Sequence, residues 1–473
     1  MERLRKIGRL PARSAAQIRQ NRLGIGFEKL DRNVFDPERA YDKVAQLGVK
    51  LVRIQSGWMR TEQQEGVYDF AWIDSIVDNL RARGMEPWID LCYGNPLYTE
   101  SAQEYFGAVG VPPIFTQRER DAWAAYVQAT VSHFRGRVAW YEIWNEPNGL
   151  FCWKHGTSAA ETARFTIETA RAIRSADPAA RVIGGVVTHI DLPYIAALFE
   201  NGMADHIDAI SFHRYRANEL EAVRDIKALR GLINRYNPQV SIVQGESGTQ
   251  SRSGGAGALR QGAWTPEKQA KYLLRQRVMD LSTEVIFTSH FTSVDMVEAL
   301  HGRTGDLNSY KDFGYFGVLS ADFDEAGFAC GTYTPKPSYY ALQNLCALLS
   351  EDTHPVDLPV MRKTLESPRL FGRDYEGSAF MQASFARGEG FAYAYWKADE
   401  LMTSSFEGTI SFDAALPGDV RLIDPMTGDV YALPDHMAVH DGACLHLNNL
   451  PLKDYPLILA FGRFGDVLDG CPL

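Results

Sequence analysis

Two glutamates stand where apolar, strand-like stretches of the chain give way to loops. The stretch Trp140–Asn145 ends at Glu146, and Pro147 follows at once. Proline cannot donate a backbone hydrogen bond, so it ends a strand. Glu246 has the matching position after the apolar stretch Ile242–Gly245. Both patterns predict a carboxylate at the C-terminal end of a buried strand.

Two carboxylates in one pocket are the groups that cleavage of a glycosidic bond requires. One protonates the departing oxygen, while the other attacks the sugar carbon or activates water. Next to Glu146, the amide of Asn145 could donate to a hydroxyl and the ring of Trp144 could stack on a sugar. A single glutamate at a strand end is more often solvated or salt-bridged, but two in such surroundings favour a catalytic pair.

The elements that would bring this pair together are repeated βα units. From about residue 23 to 350, short β-type runs alternate with amphipathic helical stretches, which indicates a parallel sheet. Eight units close a (β/α)8 TIM barrel, whereas a doubly wound sheet normally stops at five or six strands. In such an α/β barrel the loops after the strands form one face, so Glu146 and Glu246 would converge there. The predicted strands are Leu23–Leu30, Val49–Gln55, Glu86–Tyr93, Val138–Asn145, Arg181–Val187, Ile207–Tyr215, Ser241–Gly245 and Val285–Ser293.

The sequence pattern changes in the remainder of the chain. After about residue 352, short alternating strands and turn signals predict an appended small antiparallel β domain. We therefore predict a barrel over residues 23–351 and a β domain over residues 352–473. Residues 1–22 form a basic segment, interpreted as a solvated or edge strand that packs on the β domain, with an anion or membrane contact as the alternative.

Composition limits the partners. The chain has 473 residues and a formal net charge of −10, which disfavours a nucleic-acid partner. The N-terminus has no secretory apolar run and no later window is long and apolar enough for a membrane span, so we expect a cytoplasmic protein without a membrane partner. Six widely spaced cysteines predict free thiols, and a homo-oligomer is left open.

At this point the motifs resemble a known group of enzymes. The stretch Trp144–Asn148 together with Glu246 resembles clan A of the retaining glycoside hydrolases, and within it glycoside hydrolase family 39, the β-xylosidase-like group. Val67–Phe70, Ser211–Tyr215 and Lys336–Leu342 add to the resemblance. It covers the barrel and implies an appended β-sandwich.

The resemblance implies roles for particular residues. Glu146 would be the general acid/base, Glu246 the nucleophile and Asn145 the donor to the sugar 2-hydroxyl. Arg53 would keep the nucleophile ionised, and Tyr215 or His213 would hydrogen-bond the nucleophile or a substrate hydroxyl. One departure lies at the predicted eighth strand, where Thr288–Ser293 lacks the tryptophan that the clan often has there.

Further residues of the post-strand loops are candidates for the sugar pocket, with core packing as the alternative for each aromatic ring. They are Trp58, Tyr93, Asn95, Tyr98 and Trp153. His290 is a candidate for hydrogen bonding to a sugar hydroxyl. A metal site built from His189, His213 and His290 is the weaker interpretation because their spacing matches no metal motif. We predict neither a metal nor a cofactor.

The function predicted from these observations is hydrolysis of β-type, or equivalent α-L-arabino, bonds in short oligosaccharides or glycosides by double displacement. Retention is implied by the resemblance alone, because the sequence does not give the separation of the two carboxyl groups. The long connections 94–116, 248–264 and 294–335 favour a closed pocket and exo action. The alternatives are an endo-acting glycanase or transglycosidase of the same clan and a catalytically silent carbohydrate-binding barrel.

Overall fold

Eight parallel strands close into a barrel, which confirms the predicted (β/α)8 fold. The computed structural model describes residues 4–216, 219, 221–366, 380–398, 407–414, 416, 420–462 and 464. Each barrel strand pairs in parallel with the next along the chain, and the eighth pairs with the first. In order, the strands are Leu23–Gly26, Leu51–Gln55, Glu86–Leu91, Trp140–Ile143, Arg181–Val187, Ala209–His213, Ser241–Ser247 and Val285–His290.

Helices follow the strands because their apolar residues recur with the helical period. In Ala71–Ala82, the buried side chains Ile73, Ile76, Val77 and Leu80 lie on one face. The α-helices of the barrel are Tyr41–Gln46, Trp58–Thr61, Ala71–Ala82, Gln117–His133, Ala159–Ala176, Leu192–Glu200, Ala222–Ile233, Pro266–Leu281 and Pro337–Leu348. None of the helices in the described residues is both long and apolar enough to cross a membrane.

The long connections contain structure of their own. The connection after the third strand includes the 3-10 turns Glu100–Glu104 and Phe106–Ala108. The connection after the eighth strand forms two short antiparallel pairs, which join Met296–Val297 to Phe313–Gly314 and Leu319–Phe323 to Ala329–Pro335. A bridge between Tyr105 and Arg303 also joins the connections after the third and eighth strands to each other.

The C-terminal part forms two antiparallel sheets, which confirms an appended β-rich unit. The first sheet has the strand order Arg5–Arg9, Asp429–Ala432, Val420–Asp424, Leu457–Phe461, Gly390–Lys397, Phe380–Arg387 and His354–Pro355. The second has the order Val360–Glu366, Glu407–Phe412, Cys444–Pro451 and Ala438–Asp441. The strands at 354–355, 360–366, 429–432 and 438–441 were not predicted from the sequence.

The basic N-terminal segment supplies the edge strand of the first sheet. Arg5–Arg9 pairs with Asp429–Ala432, and Lys6 forms an ion pair with Asp429 at 2.6 Å. Farther along, Arg13 binds Glu351 at 2.8 Å, and Arg19 binds Asp352 at 2.9 Å. Carboxylates of the protein itself therefore balance cations of this segment.

Candidate active site

The end of the fourth barrel strand is a turn that brings Glu146 to the barrel mouth. Trp144 and Glu146 have φ angles of 63° and 46°, in the left-handed region that a residue with a Cβ rarely adopts. Gly149 closes the turn by donating its N–H to the Glu146 carbonyl at 2.9 Å. Backbone outliers of this kind concentrate at functional sites.

Glu246 approaches the same point from the seventh strand because a glycine precedes it. A Cβ on Gly245 would lie 2.4 Å from Ser211 Oγ and 3.4 Å from His213 Nε2 of the sixth strand. Only glycine fits between these side chains without a shift. The strands can then pack closely, and His213 pairs in register with Glu246.

His213 lies between the two carboxylates. Its Nδ1 is 2.8 Å from Glu146 Oε1 and 3.8 Å from Glu246 Oε2. One carboxylate oxygen of each glutamate and one ring nitrogen of His213 all lie within 4.8 Å of one another. Both glutamates are largely buried, with about a tenth of each side chain exposed.

Two further side chains donate hydrogen bonds to the carboxylate of Glu246. Arg53 Nη1 donates to Oε2 at 2.9 Å, and the Tyr215 hydroxyl donates to Oε1. The Tyr215 ring packs against Phe291 and Phe316, at centroid distances of 6.2 and 5.7 Å. Both oxygens of Glu246 are thus held in fixed directions.

These contacts favour the charged form of Glu246. Burial alone would raise the pKa of this carboxyl, but His213, Arg53 and Tyr215 together hold it below its ordinary value. The pKa of His213 is raised for the reciprocal reason: burial opposes its charge, and Glu246 and Glu146 more than compensate. The site therefore favours the charged form of Glu246 and holds beside it a histidine that binds its proton more tightly than a free imidazole.

Asn145 is fixed between the same arginine and a cysteine. Its Oδ1 accepts a hydrogen bond from Arg53 Nη2 at 3.0 Å, and its Nδ2 donates to Cys152 Sγ at 3.4 Å. Burial raises the pKa of Cys152 to about 12, so this thiol is a neutral neighbour. The structure thus brings six of the residues predicted for the site together, namely Glu146, Glu246, Asn145, Arg53, His213 and Tyr215.

Four other candidates for the sugar pocket are buried, and for the aromatic rings among them the contacts favour the alternative of core packing. Trp144 lies in an aromatic cluster with Trp153 and donates its Nε1 to the Cys152 carbonyl at 2.8 Å. Trp58 is fully buried between the rings of Tyr98 and Tyr126.

Tyr93 and Asn95 have structural contacts as well. Tyr93 is buried, with its hydroxyl 3.6 Å from Cys152 Sγ and its ring edge against Trp144. Asn95 binds the Glu62 carbonyl through Nδ2 and caps the Leu97 N–H through Oδ1, both at 2.9 Å. For the aromatic rings, core packing competes with sugar stacking, and here the core interpretation applies.

The histidines considered as a metal site have three separate partners. His213 faces the two glutamates, His290 Nε2 lies 3.3 Å from the Phe316 carbonyl, and His189 Nδ1 lies 2.8 Å from Thr188 Oγ1. Burial lowers the pKa of His290 to about 3, so it is a neutral ring. Glu146 and His213 bind each other, while Arg53 and Tyr215 hold Glu246.

Sequence reasoning missed the carboxylates that surround Arg53. Glu28, Asp90 and Glu142 all lie within 3.4 Å of its guanidinium and are buried. Burial raises the pKa of Glu28 and of Asp90 to about 7. A charged residue inside an apolar strand was the available signal for Asp90 and Glu142.

Sequence reasoning also missed an ion pair near Glu246. Lys29 Nζ is 3.4 Å from Glu298 Oε2 and 5.1 Å from the centroid of the Phe291 ring. Burial raises the pKa of Glu298 to about 7, and Lys29 opposes that rise. No local motif marks either residue, because the two elements meet only in the closed barrel.

Comparison with known proteins agrees with this geometry. The family model described as Glycosyl hydrolases family 39 matches residues 32–230, a range that contains Arg53, Asn145, Glu146 and Tyr215. A β-xylosidase of Geobacillus stearothermophilus is 31% identical over 129 residues, which cover 25% of each chain. A β-xylosidase of Caldicellulosiruptor saccharolyticus is 28% identical over 190 residues, 36% of this chain and 37% of that one. The alignments therefore span about a quarter and just over a third of these relatives.

A solved structure shows the same fold over a longer range. The family 39 glycoside hydrolase of the gut symbiont Bacteroides cellulosilyticus WH2 superposes with a TM-score of 0.64. The superposition covers 93% of this chain and 81% of that one, at 17% sequence identity. The resemblance of this chain to glycoside hydrolase family 39, which its motifs predicted, is confirmed.

Proposed function

We propose that the protein is a retaining, exo-acting β-glycosidase whose catalytic pair is Glu146 and Glu246. One observation carries the proposal: an oxygen of each carboxylate lies within 4.8 Å of the other, with His213 between them. Retaining enzymes place the two carboxyl groups about 5 to 5.5 Å apart, whereas inverting enzymes need about 6.5 to 9.5 Å to admit a water molecule.

In the first step, Glu246 attacks the anomeric carbon and Glu146 gives its proton to the glycosidic oxygen. The carbon–oxygen bond to the leaving group breaks, and a glycosyl ester forms on Glu246. Arg53 and Tyr215 hold Glu246 ionised and aimed, and His213 orients Glu146 through the hydrogen bond to Oε1. Asn145 binds the same guanidinium as the nucleophile, and its amide is proposed to donate to the sugar 2-hydroxyl.

In the second step, the roles of Glu146 reverse. As a carboxylate, it takes a proton from water while the water oxygen attacks the same anomeric carbon. The ester bond to Glu246 breaks, Glu146 is protonated again, and the sugar leaves with its original anomeric configuration. Two inversions at one carbon give net retention.

β-Xylosides are the first substrates to test. Both sequence relatives named above are β-xylosidases. The connections after the third and eighth strands, which leave the barrel on the face that carries the catalytic pair, are joined by a bridge between Tyr105 and Arg303. Lys154 supports this arrangement by donating to the carbonyls of Val109, Phe151 and Leu300, which belong to three different loops. A mouth held in this way favours a pocket that takes one terminal sugar.

The experiment compares release of nitrophenol from aryl β-xylosides, β-glucosides, β-galactosides, β-fucosides and α-arabinosides. Glu246→Gln should lower kcat by about 10³-fold or more, because nothing else can form the ester. Glu146→Gln should spare substrates with activated leaving groups and be most damaging for poor ones. Glu168→Gln, on the exposed face of the helix Ala159–Ala176, serves as the matched control.

Two further readouts decide the mechanism. A 2-deoxy-2-fluoro β-xyloside should label Glu246, located by peptide mass spectrometry, and NMR should show the β-anomer as the first product. First-formed α-anomer would contradict retention. Early release of internal fragments from xylan would contradict exo action, and silence on every substrate together with tight sugar binding would favour a binding barrel.

We further propose that the enzyme acts in the cytoplasm on imported glycosides. The five cysteines within the described residues are free thiols, as suits a reducing compartment. Fractionation of the source cells tests this, and recovery of the protein outside the cytoplasm would contradict it.

A further inference from the structure

Glu142 is a charged residue in the middle of a barrel strand. It lies on the fourth strand, four residues before Glu146, and its side chain is fully buried. Burial of a carboxylate is costly unless partners compensate it. The contacts of this side chain should therefore show what it does.

Glu142 binds one edge of the Arg53 guanidinium through both of its carboxylate oxygens. Its Oε1 accepts from Nη2 at 2.8 Å, and its Oε2 accepts from Nε at 3.3 Å. Trp88 Nε1 donates to the same Oε2 at 2.7 Å and fixes the carboxylate from behind. A two-point contact of this kind sets the plane of the guanidinium as well as its position.

The remaining edge of Arg53 faces Glu246 and Asn145. Nη1 donates to Glu246 at 2.9 Å and to Glu28 at 3.4 Å, and Nη2 also reaches Asn145 and Asp90. Among the described carboxylates around Arg53, Glu142 alone contacts it at two nitrogens. The others make a single contact each, so they cannot define its rotation.

We propose that Glu142 is a positioning residue, which acts through Arg53 to aim the Nη1 edge at Glu246 and the Nη2 edge at Asn145. This inference rests on the proposed function, because it explains how the nucleophile and the amide are held for the same reaction. Trp88 contributes to the same positioning, since its indole N–H holds the Glu142 carboxylate in place.

Two substitutions separate positioning from charge. In Glu142→Gln one carboxylate oxygen becomes an NH2 group, which is a donor. It must face either Arg53 Nη2 or the two donors Arg53 Nε and Trp88 Nε1. Either way a donor faces a donor, and the two-point contact is lost. Trp88→Phe removes the indole N–H together with part of the ring and leaves every charge in place. Asp90→Asn is the matched control, because it removes a buried carboxylate from the same guanidinium without breaking the two-point contact.

The experiment measures kcat/KM against pH on an aryl β-xyloside for the parent and each variant. The acid limb of this pH profile is the range in which kcat/KM falls because Glu246 becomes protonated. If Glu142 aims Arg53, then Glu142→Gln and Trp88→Phe should move the acid limb to higher pH. They should also lower kcat/KM by about tenfold or more. Asp90→Asn should leave the acid limb nearly in place, because burial raises the pKa of Asp90 to about 7 and its carboxyl is already neutral where Glu246 titrates. Combined with Arg53→Lys, Glu142→Gln should cause little further loss, since residues that act as a unit are not additive.

Other results would overturn the proposal. An acid limb that moves to lower pH in Glu142→Gln would show that the residue acts by charge alone. Additive losses in the double variant would show that it does not act through Arg53. If Glu142→Gln fails to fold, Trp88→Phe decides the matter, and an unchanged acid limb there refutes the proposal. An inactive parent protein would instead refute the proposed function.

Discussion

At the scale of single residues, the environment of Glu246 favours its charged form. His213, Arg53 and Tyr215 each stabilise its negative charge, and the Tyr215 hydroxyl is the one that can be removed without changing a formal charge. Two carboxyl groups that sit close together can carry different roles only when their surroundings differ.

Tyr215→Phe should therefore raise the pKa of Glu246. A group whose pKa is lowered in the folded protein is active as the anion above that pKa, so loss of the donor moves the acid limb of kcat/KM to higher pH. The expected loss of kcat/KM near neutral pH is about tenfold, the effect of one hydrogen bond to a charged group. An acid limb that stays in place would show that Tyr215 does not support the nucleophile.

Trp58 is a candidate for the sugar pocket that lies fully buried in the core. It is stacked between Tyr98 and Tyr126 and donates to the buried carboxylate of Glu62 at 2.6 Å. Trp58→Phe should destabilise the fold by about 1 to 3 kcal/mol, because a buried acceptor loses its partner. The KM for an aryl glycoside should stay within about twofold of the parent value. A large rise in KM with unchanged stability would restore the sugar-stacking interpretation.

At the scale of elements, a buried ion pair joins the barrel to the β-rich unit. Glu219, in the connection after the sixth strand, binds Arg275 of the helix Pro266–Leu281 at 2.6 Å. The same carboxylate accepts from Trp396 Nε1 at 2.8 Å, and Trp396 lies in the strand Gly390–Lys397. Three elements thus meet at one carboxylate.

Glu219→Gln should cost about 3 to 5 kcal/mol of the free energy of unfolding, since it leaves the buried Arg275 charge without its ion-pair partner. Glu221→Gln is the control from the same connection, because its pair with Arg216 is substantially exposed and should contribute about 0 to 1 kcal/mol. Chemical denaturation of both variants checks this. Equal losses would mean that the buried junction contributes no more than a surface pair.

At the scale of the whole molecule, several buried acids make stability depend on pH. Burial raises the pKa of Glu28, Asp90 and Glu298 to about 7 each. Such groups bind protons more tightly in the folded state than in the unfolded state. Their contribution to stability is therefore complete below about pH 4, and it is lost as the pH rises through about 7.

Glu298→Gln should weaken this dependence, because the amide is neutral at every pH. The free energy of unfolding, measured by denaturant titration at about pH 5.5 and 8, should fall less between these values in the variant than in the parent. Glu168→Gln, which changes an exposed carboxyl, should leave the parent difference in place. Parallel curves for parent and Glu298→Gln would contradict the raised pKa.

Local patterns were sufficient to predict the eight βα units and the catalytic candidates at their ends. Strand and helix periods, together with a proline after Glu146 and a glycine before Glu246, are properties of neighbouring residues. The fold rule that gathers strand ends on one face brought Glu146 and Glu246 together, and the resemblance to glycoside hydrolase family 39 implied that Arg53, Asn145, His213 and Tyr215 share their pocket. The latter four side chains sit on strands or within two residues of them.

The tertiary structure alone decided which side chains face the pocket and which face the core. The sequence does not distinguish a ring that stacks on a sugar from one that fills the core, and Trp58, Tyr93 and Trp144 prove to be core rings. The network around Arg53 and the pair Lys29–Glu298 join strands and loops that are distant along the chain. Their partners are chosen by the closure of the barrel, where burial and charge pairing act between elements that share no local sequence signal.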